Sequence, residues 1–476
     1  MIASRAVMPG GRIKLAVLAL GVLAAIAVRP ATADTLNGAL VESYVNNPQL
    51  GAQRSATRAT DENVPIQLGG YRPRLTATNS INEVYLDQLT RAGSASRATG
   101  YSRTAGEDTV TSLGLTATQT LFNGFQTGNR TRQAEAQVFA SREALRTTEQ
   151  TVLLAAATAY MNLLRDTAIL ELQRSNVNVL EATLRQTREN LAAGIVTRTD
   201  VAQAESRLSL GRATLQTAES NYTTSRAQYR QVIGVEPGKL APGTSVDRFS
   251  PSTLPAAVAR GLAENPLTTT ASYNVDAAVL QVKIAEGALY PVITATASLT
   301  KAYGSATNFN NLQSLTGIIG GQIAVPLYQG GSEFATIRQA KETLGQQRLN
   351  LETARDTVRS NVVQAWGQLA AAKAQIQATE AQVAAAEIAL AGVREEARAG
   401  QRTTLDVLNA QQDLVNARTN LVTAQHDRVV ASFALLSAVG GLSVQVMGLP
   451  IQNYDPVVHY QQVRDAWGGV RTPDGK

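Results

Sequence analysis

The chain repeats itself. Asn47-Pro48 returns as Asn265-Pro266, Pro73 as Pro291, Thr76-Ala77-Thr78 as Thr294-Ala295-Thr296 and Tyr85 as Tyr303, each 218 positions later. Leu121-Phe122-Asn123-Gly124 returns as Leu327-Tyr328-Gln329-Gly330, Gly194 as Gly400, Asp200-Val201 as Asp406-Val407 and Gly234 as Gly440, each 206 positions later. The spacing drops by 12 between Tyr85 and Leu121, so the first copy carries 12 extra residues in a polar, Gly- and Ser-rich stretch that reads as an exposed loop. Matches in this order mean a tandem duplication, and whatever the chain folds into is built twice. The reading gives a first repeat at 34–234, a linker at 235–255, a second repeat at 256–440 and a tail at 441–476.

Each repeat reads as helix, two strands, long helix, helix. Residues 125–193 and 331–399 lack proline and are rich in good helix formers. Leu344, Leu351, Val358, Ala365 and Ala372 fall at seven-residue steps, the period of a coiled-coil seam. Helices of that length run about 100 Å, more than a compact core needs. Second helices are expected at 195–233 and 401–439, ending on Gly234 and Gly440. Shorter ones at 36–69 and 254–287 would stack end to end with these beside the long helices.

The strands, expected at about 72–86, 110–122, 292–303 and 315–327, are long enough to cross a membrane obliquely. Ile293, Ala295, Ala297 and Leu299 alternate with Thr294, Thr296, Ser298 and Thr300; Leu113, Leu115, Ala117 and Leu121 oppose Thr116, Thr118 and Thr120. Tyr71, Phe122, Tyr290 and Tyr328 stand at the helix-side ends, with Tyr85 and Tyr303 at the far ends, as two aromatic girdles would. A soluble sheet with one buried face gives a similar alternation. Four strands cannot close a barrel by themselves, so several protomers would have to contribute.

Composition removes other classes. The chain has no cysteine and two histidines, which excludes disulfides, thiol catalysis and a multi-histidine metal centre. The net charge of +6 falls to 39 basic against 37 acidic residues beyond position 33, leaving no footprint for nucleic acid. Arg5, Arg12 and Lys14 precede the apolar run Leu15–Val28, and Ala31-Thr32-Ala33 offers a cleavage site, the layout of a cleaved signal peptide at 1–33. Gly234–Lys239 lacks the spacing and the Ser or Thr of a phosphate loop, and no nucleophile or zinc-protease motif is present, so no enzyme is expected.

The duplicated hairpins and long helices, with Leu121-Phe122-Asn123-Gly124-Phe125, Leu327-Tyr328-Gln329-Gly330-Gly331 and the two turns Gly194–Val201 and Gly400–Val407, resemble the TolC-like outer-membrane efflux family, in the branch that serves type I secretion. The resemblance implies an α+β membrane protein. A long antiparallel coiled-coil tunnel would cross the periplasm below a β-barrel completed by trimerisation in the outer membrane, with four strands per chain. It implies a homotrimer embedded in outer-membrane lipid, a periplasmic adaptor and an inner-membrane transporter as partners, and passive export of drugs or secreted proteins. By motif, the constriction maps to Thr199, Asp200, Arg402 and Asp406, and the adaptor-docking tips to Gly194, Ile195, Val196, Thr197, Gly400, Gln401 and Thr403. Ala397 and Asn409 depart from the family pattern, which has an aromatic partner and a second acidic ring there.

The residues also allow plainer readings. Asp200 and Asp406 fall in the first turns after Gly194 and Gly400, where a carboxylate complements a helix N-terminus, and Thr197, Thr199, Thr403 and Thr404 suit caps. A periplasmic structural coiled coil without channel activity would share much of the helical pattern.

Overall fold

The computed structural model describes residues 35–91, 100–304, 313–473 and 475. The signal peptide expected at 1–33 and the middles of the two strand-connecting loops lie outside the described residues. The first half runs α1 (Leu36–Asn46), α2 (Pro48–Asp61), α3 (Asn63–Leu68), β1 (Arg74–Arg91), β2 (Tyr101–Asn123), α4 (Gln126–Ala192) and α5 (Arg198–Ile233). The second runs α6 (Leu254–Glu264), α7 (Pro266–Gly287), β3 (Val292–Tyr303), β4 (Gln313–Ala324), α8 (Ser332–Arg398) and α9 (Thr404–Ala438), followed by α10 (Val444–Met447) and α11 (Pro456–Val463). The order of elements in the first half recurs in the second.

The helices expected as continuous at 36–69 and 254–287 are broken. Asn47 ends α1 and caps α2, its side chain accepting from the amides of Gln49 and Leu50, while Pro48 starts the new helix without an amide to satisfy. Asn265-Pro266 repeats this between α6 and α7. The helices expected from 195 and 401 begin at Arg198 and Thr404, because Thr197 and Thr403 take the capping positions.

α4 and α8 have 67 residues each, about 100 Å of helix. The sheet-side half of α4 packs on α7, where Gln133 Nε2 donates to Gln281 Oε1 at 3.0 Å and Phe139 stacks on Tyr273 at 5.4 Å. Its far half packs on α5. On α8, Val358, Val362, Ala365, Leu369 and Ala372 are buried at alternating steps of four and three, the seam geometry that keeps one stripe facing a partner. Midway along the helices, Tyr160, Tyr229, Phe433, Leu435 and Leu442 join one large core that includes α1, α6 and the chain after α9. Burial at about 25 cal/mol per Å² of apolar surface makes this belt the main source of stability.

The four strands form one antiparallel sheet in the order β1-β2-β3-β4. Its register lines up the apolar positions: Leu75, Ala117, Ala297 and Ile319 form one row, and Ala77, Leu115, Leu299 and Gly317 the next. Thr76, Thr116, Ser298 and Ile318 lie on the opposite face. A bulge between Thr120 and Phe122 gives the face of Ile293 to Phe122, so Leu121 does not continue the apolar row as its spacing predicted. The first hairpin is also longer than expected. β1 and β2 stay paired from Asn82↔Val110 to Arg91↔Tyr101, beyond the end of β3, and past residue 86 on β1 and before 110 on β2 the pairing runs through residues that read as loop. Cross-strand contacts sustain the pairing: Arg103 forks onto Asp87 at 2.8 and 2.7 Å, and Thr109 donates to Glu83 at 2.8 Å. β4 stops at Ala324 rather than 327, two residues before Pro326, whose ring nitrogen has no proton for a ladder.

Candidate functional site at the helical tips

The sharp turns at the far ends of the long helices are built from local signals. α4 ends in a tight cap: Gly194, at φ +75°, donates to Leu191 O at 3.0 Å and Ile195 to Asn190 O at 2.9 Å. Gly400, at φ +77°, closes α8 the same way, with Gln401 donating to Glu396 O at 2.9 Å. The left-handed conformation suits glycine, which has no Cβ to clash. After three residues the chain re-enters a helix through a capping box. Thr197 Oγ1 accepts from Asp200 N at 3.3 Å while Thr197 N donates to Asp200 Oδ2 at 2.8 Å; at Thr403 and Asp406 the distances are 3.2 and 2.9 Å.

The carboxylates of the expected constriction are therefore engaged inside their own turns. The Thr197 hydroxyl, with its amide, holds the Asp200 carboxyl below the usual carboxylate range; at Asp406 the Thr403 amide leads and its hydroxyl follows. A folded-state pKa below the unfolded one gives stability that is present above the unfolded pKa and lost as pH falls through the folded one. Both tips should loosen in acid, below the ordinary carboxylate range. Thr197→Ala removes the acceptor for the Asp200 amide and should cost about 1 kcal/mol of local helix stability. Amides in the first turn of α5 should then exchange about fivefold faster with solvent; rates equal to the parent would mean the box contributes nothing. Thr403→Ala should act in the same direction on α9.

Arg402 takes Glu396 as its ion-pair partner rather than either aspartate, and acts on Asp406 only through its charge. Its Nε donates to Glu396 Oε2 at 2.8 Å, the contact that raises its pKa. Thr199 stands exposed in the first turn of α5, and Ile195 and Gln401 are exposed at the apices of the two turns, with Val196 half-buried. Within one chain the two turns are not joined by their predicted residues. They are joined just above: Arg207 Nη2 on α5 donates to Asn409 Oδ1 on α9 at 2.7 Å, and Leu408, 3% exposed, enters the core of Val177, Leu180, Leu184, Ala204 and Leu208. Sequence reasoning missed this tie, since Asn409 drew notice only as a lost carboxylate.

It also missed a set of clamps that the repeat spacing contains. Arg188 pairs with Glu205 at 2.6 Å and Arg212 with Glu181 at 2.8 Å between α4 and α5. The residues 206 positions on do the same between α8 and α9: Arg394 with Gln411 at 2.8 Å, Arg418 with Glu387 at 2.7 Å. Both histidines have structural partners, His426 with Asp427 and Asn162 at 2.8 Å each, and His459 with Asp61 at 3.0 Å.

The description "outer membrane efflux protein" belongs to the family that matches this chain, over residues 39–235 and 258–441. The outer membrane efflux protein BepC of Brucella suis is 42% identical over 449 residues, 94% of each chain. The alkaline protease secretion protein AprF of Pseudomonas aeruginosa is 26% identical over 303 residues, 63% of each chain. Among solved structures, the CmeC outer membrane channel of Campylobacter jejuni shares the fold, with a TM-score of 0.73 at 16% identity, covering 90% of this chain and 89% of that one.

Proposed function

The chain belongs to the outer membrane efflux protein family of TolC-like channels, and on that premise we propose that it forms the homotrimeric exit duct of a tripartite system for type I protein secretion, multidrug efflux or both. The protein is a channel rather than an enzyme, located in the outer membrane with its helical tunnel in the periplasm.

The observation that supports the trimer is a sheet with, among the described residues, two unpaired edges. β1 and β4 each have one open side, and β4 carries Ile319 at 91% exposure. An apolar edge strand left in water invites pairing with another chain. The repeat says how. Shifting the β2–β3 pair Thr116↔Ser298 by the two repeat spacings sets Gln322 of β4 opposite Ser80 on β1 of the partner subunit. Three chains then supply twelve strands, enough to close a barrel. The helix–strand junctions agree. Gly124 and Gly287 touch within the chain, whereas their counterparts Gly330 and Gly69 have open space around them, as positions facing a neighbour would.

In this duct the two turns form the periplasmic tip. Gly194, Ile195, Val196, Thr197, Gly400, Gln401 and Thr403 offer the surface for a periplasmic adaptor carried by an inner-membrane transporter, and Thr199, Asp200, Arg402 and Asp406 line the constriction. A relative named for efflux and another named for protease secretion support both kinds of cargo.

Because the sequence has no cysteine, a chain carrying Ser80→Cys and Gln322→Cys can form only the disulfides introduced. Oxidised in membranes, it should run as a covalent trimer on denaturing gels, and the purified protein should conduct ions in planar bilayers. Monomers throughout, with no conductance, would end the proposal. Expression in a host lacking its own exit duct should restore drug tolerance and export of a type I substrate; restoring one alone would narrow the cargo.

A further inference from the structure

The chain after α9 is not a loose tail. It climbs the outside of α1–α3 and α4 toward the sheet. Val444 N donates to Glu149 Oε1 at 3.1 Å, Tyr454 N to Tyr44 Oη at 3.1 Å, His459 Nδ1 meets the fully buried Asp61 at 3.0 Å, and Arg464 reaches Glu135 at 3.5 Å. Tyr460 packs beside Val64, Ala134 and Val138. Between Glu149 and Glu135 the climb covers 14 residues of α4, about 21 Å. It ends at the base of the sheet. Arg72, two residues before β1, donates from Nη1 to Ala466 O at 2.7 Å and lies over the Trp467 ring at 4.5 Å.

The end point is unusual for a solvated tail. Trp467 is 76% exposed, and Tyr71, Phe125, Tyr290 and Tyr328, at the helix-side ends of the strands, are exposed as well. Indoles concentrate at membrane–water interfaces, where a flat apolar ring and an N–H donor are both accommodated. Arg72 fixes the ring through its cation–π contact and one carbonyl bond, and Val470 and Arg471 follow, both exposed. We propose that Trp467, fixed by the ascending C-terminal segment, is a membrane anchor whose ring inserts among the phospholipid headgroups of the leaflet nearest the helices. Two observations carry it: the string of contacts that delivers the ring to the sheet base, and the ring's exposure there. The inference rests on the barrel being inserted in the outer membrane.

The chain has two tryptophans, so Trp366→Phe leaves Trp467 as the only indole. This variant would be reconstituted in phosphatidylcholine vesicles whose acyl chains carry bromine next to the headgroup. Its emission should fall by roughly half relative to unbrominated vesicles, as expected of an interfacial ring. Trp366 is half-buried in the core, so Trp467→Phe is made in parallel; the lipid-quenched part of the parent emission should vanish in it. Trp467 quenched by aqueous acrylamide but not by brominated lipid would mean a solvated tail and overturn the anchor. Quenching by neither would mean that protein covers the ring, which overturns it equally. Vesicle flotation separates the two levels. Protein that floats with the vesicles yet shows no lipid quenching refutes the anchor alone, whereas protein that does not float refutes the inserted barrel and the anchor with it.

Discussion

Gly124→Val should eliminate trimers from the outer membrane. Gly124 sits at φ +64°, where a Cβ is strained, and an added Cβ would lie 2.1 Å from Gly287 O and 2.9 Å from Tyr290 Cβ. The approach is reciprocal, since a Cβ on Gly287 would meet Gly124 O at 2.6 Å. The two carbonyl oxygens are backbone atoms, and Tyr290 Cβ is bonded directly to the backbone, at the point where β2 turns into α4 and α7 hands over to β3, so no flexible side-chain end can swing away. The next residue, Phe125, is held at φ +61° between Phe122 and Tyr290, with ring centroids 5.2 and 6.5 Å away; the second repeat has Gly331 there. Overpacking usually costs about 1–3 kcal/mol, and contact between main chains leaves no route of relaxation, so the upper end or beyond applies. Heat-modifiable trimers on gels of outer-membrane fractions are the readout; a parental yield would show that the junction tolerates separation. Gly330→Val meets no atom within 4 Å inside the chain, so beyond the backbone strain at its φ of +68° it should spare the protomer's packing and fail at assembly, where Gly69 of the partner subunit is proposed to lie.

Loosening the tips should raise single-channel conductance several-fold. In each protomer α9 is tied to α5 by Arg207–Asn409 and by Leu408, and Arg402 is tied to Glu396 on its own α8. A hydrogen bond to a charged group at a partly exposed site contributes about 1 kcal/mol. In the proposed trimer, three symmetric copies acting together make about 3 kcal/mol, roughly a hundredfold in the ratio of closed to open tips. Arg207→Ala should therefore open the duct more than Arg402→Ser alone. Arg402→Ser with Asp406→Ala should raise conductance and reduce cation selectivity, because it also removes the carboxylate ring proposed at the narrow end. Asp406→Ala alone should weaken block by multivalent cations added from the periplasmic side. Planar-bilayer recordings decide it: an Arg207→Ala channel with parental conductance and selectivity would place the gate elsewhere.

What the sequence alone determined is everything written in local periodicity or in the repeat. The long proline-free helices, the seam through Val358 and Ala365, the alternating strands and the glycine-ended turns at Gly194 and Gly400 were legible because each depends on neighbours a few residues away, and the recurring order of elements because the repeat spacing carries it. The capping boxes at Thr197 and Thr403 were legible as plain helix caps for the same reason. The breaks at Asn47-Pro48 and Asn265-Pro266 carried a local signal too, outweighed by the helical composition around them. Other features were decided only in three dimensions. A two-stranded ribbon with solvent on both faces has polar residues on both, so the outer part of β1 and β2 had the composition of a loop. The partner of Arg402 could be Glu396 or an aspartate until the turn geometry put Glu396 within reach. Arg207 and Asn409 are 202 positions apart, and His459 and Asp61 are 398 apart. No local pattern encodes such pairs, because loop closure over that distance is an entropic cost repaid only by the packing of the whole molecule. The short segment that carries Trp467 to the base of the sheet has no periodicity of its own, and its course follows from the surfaces that the long helices leave for it.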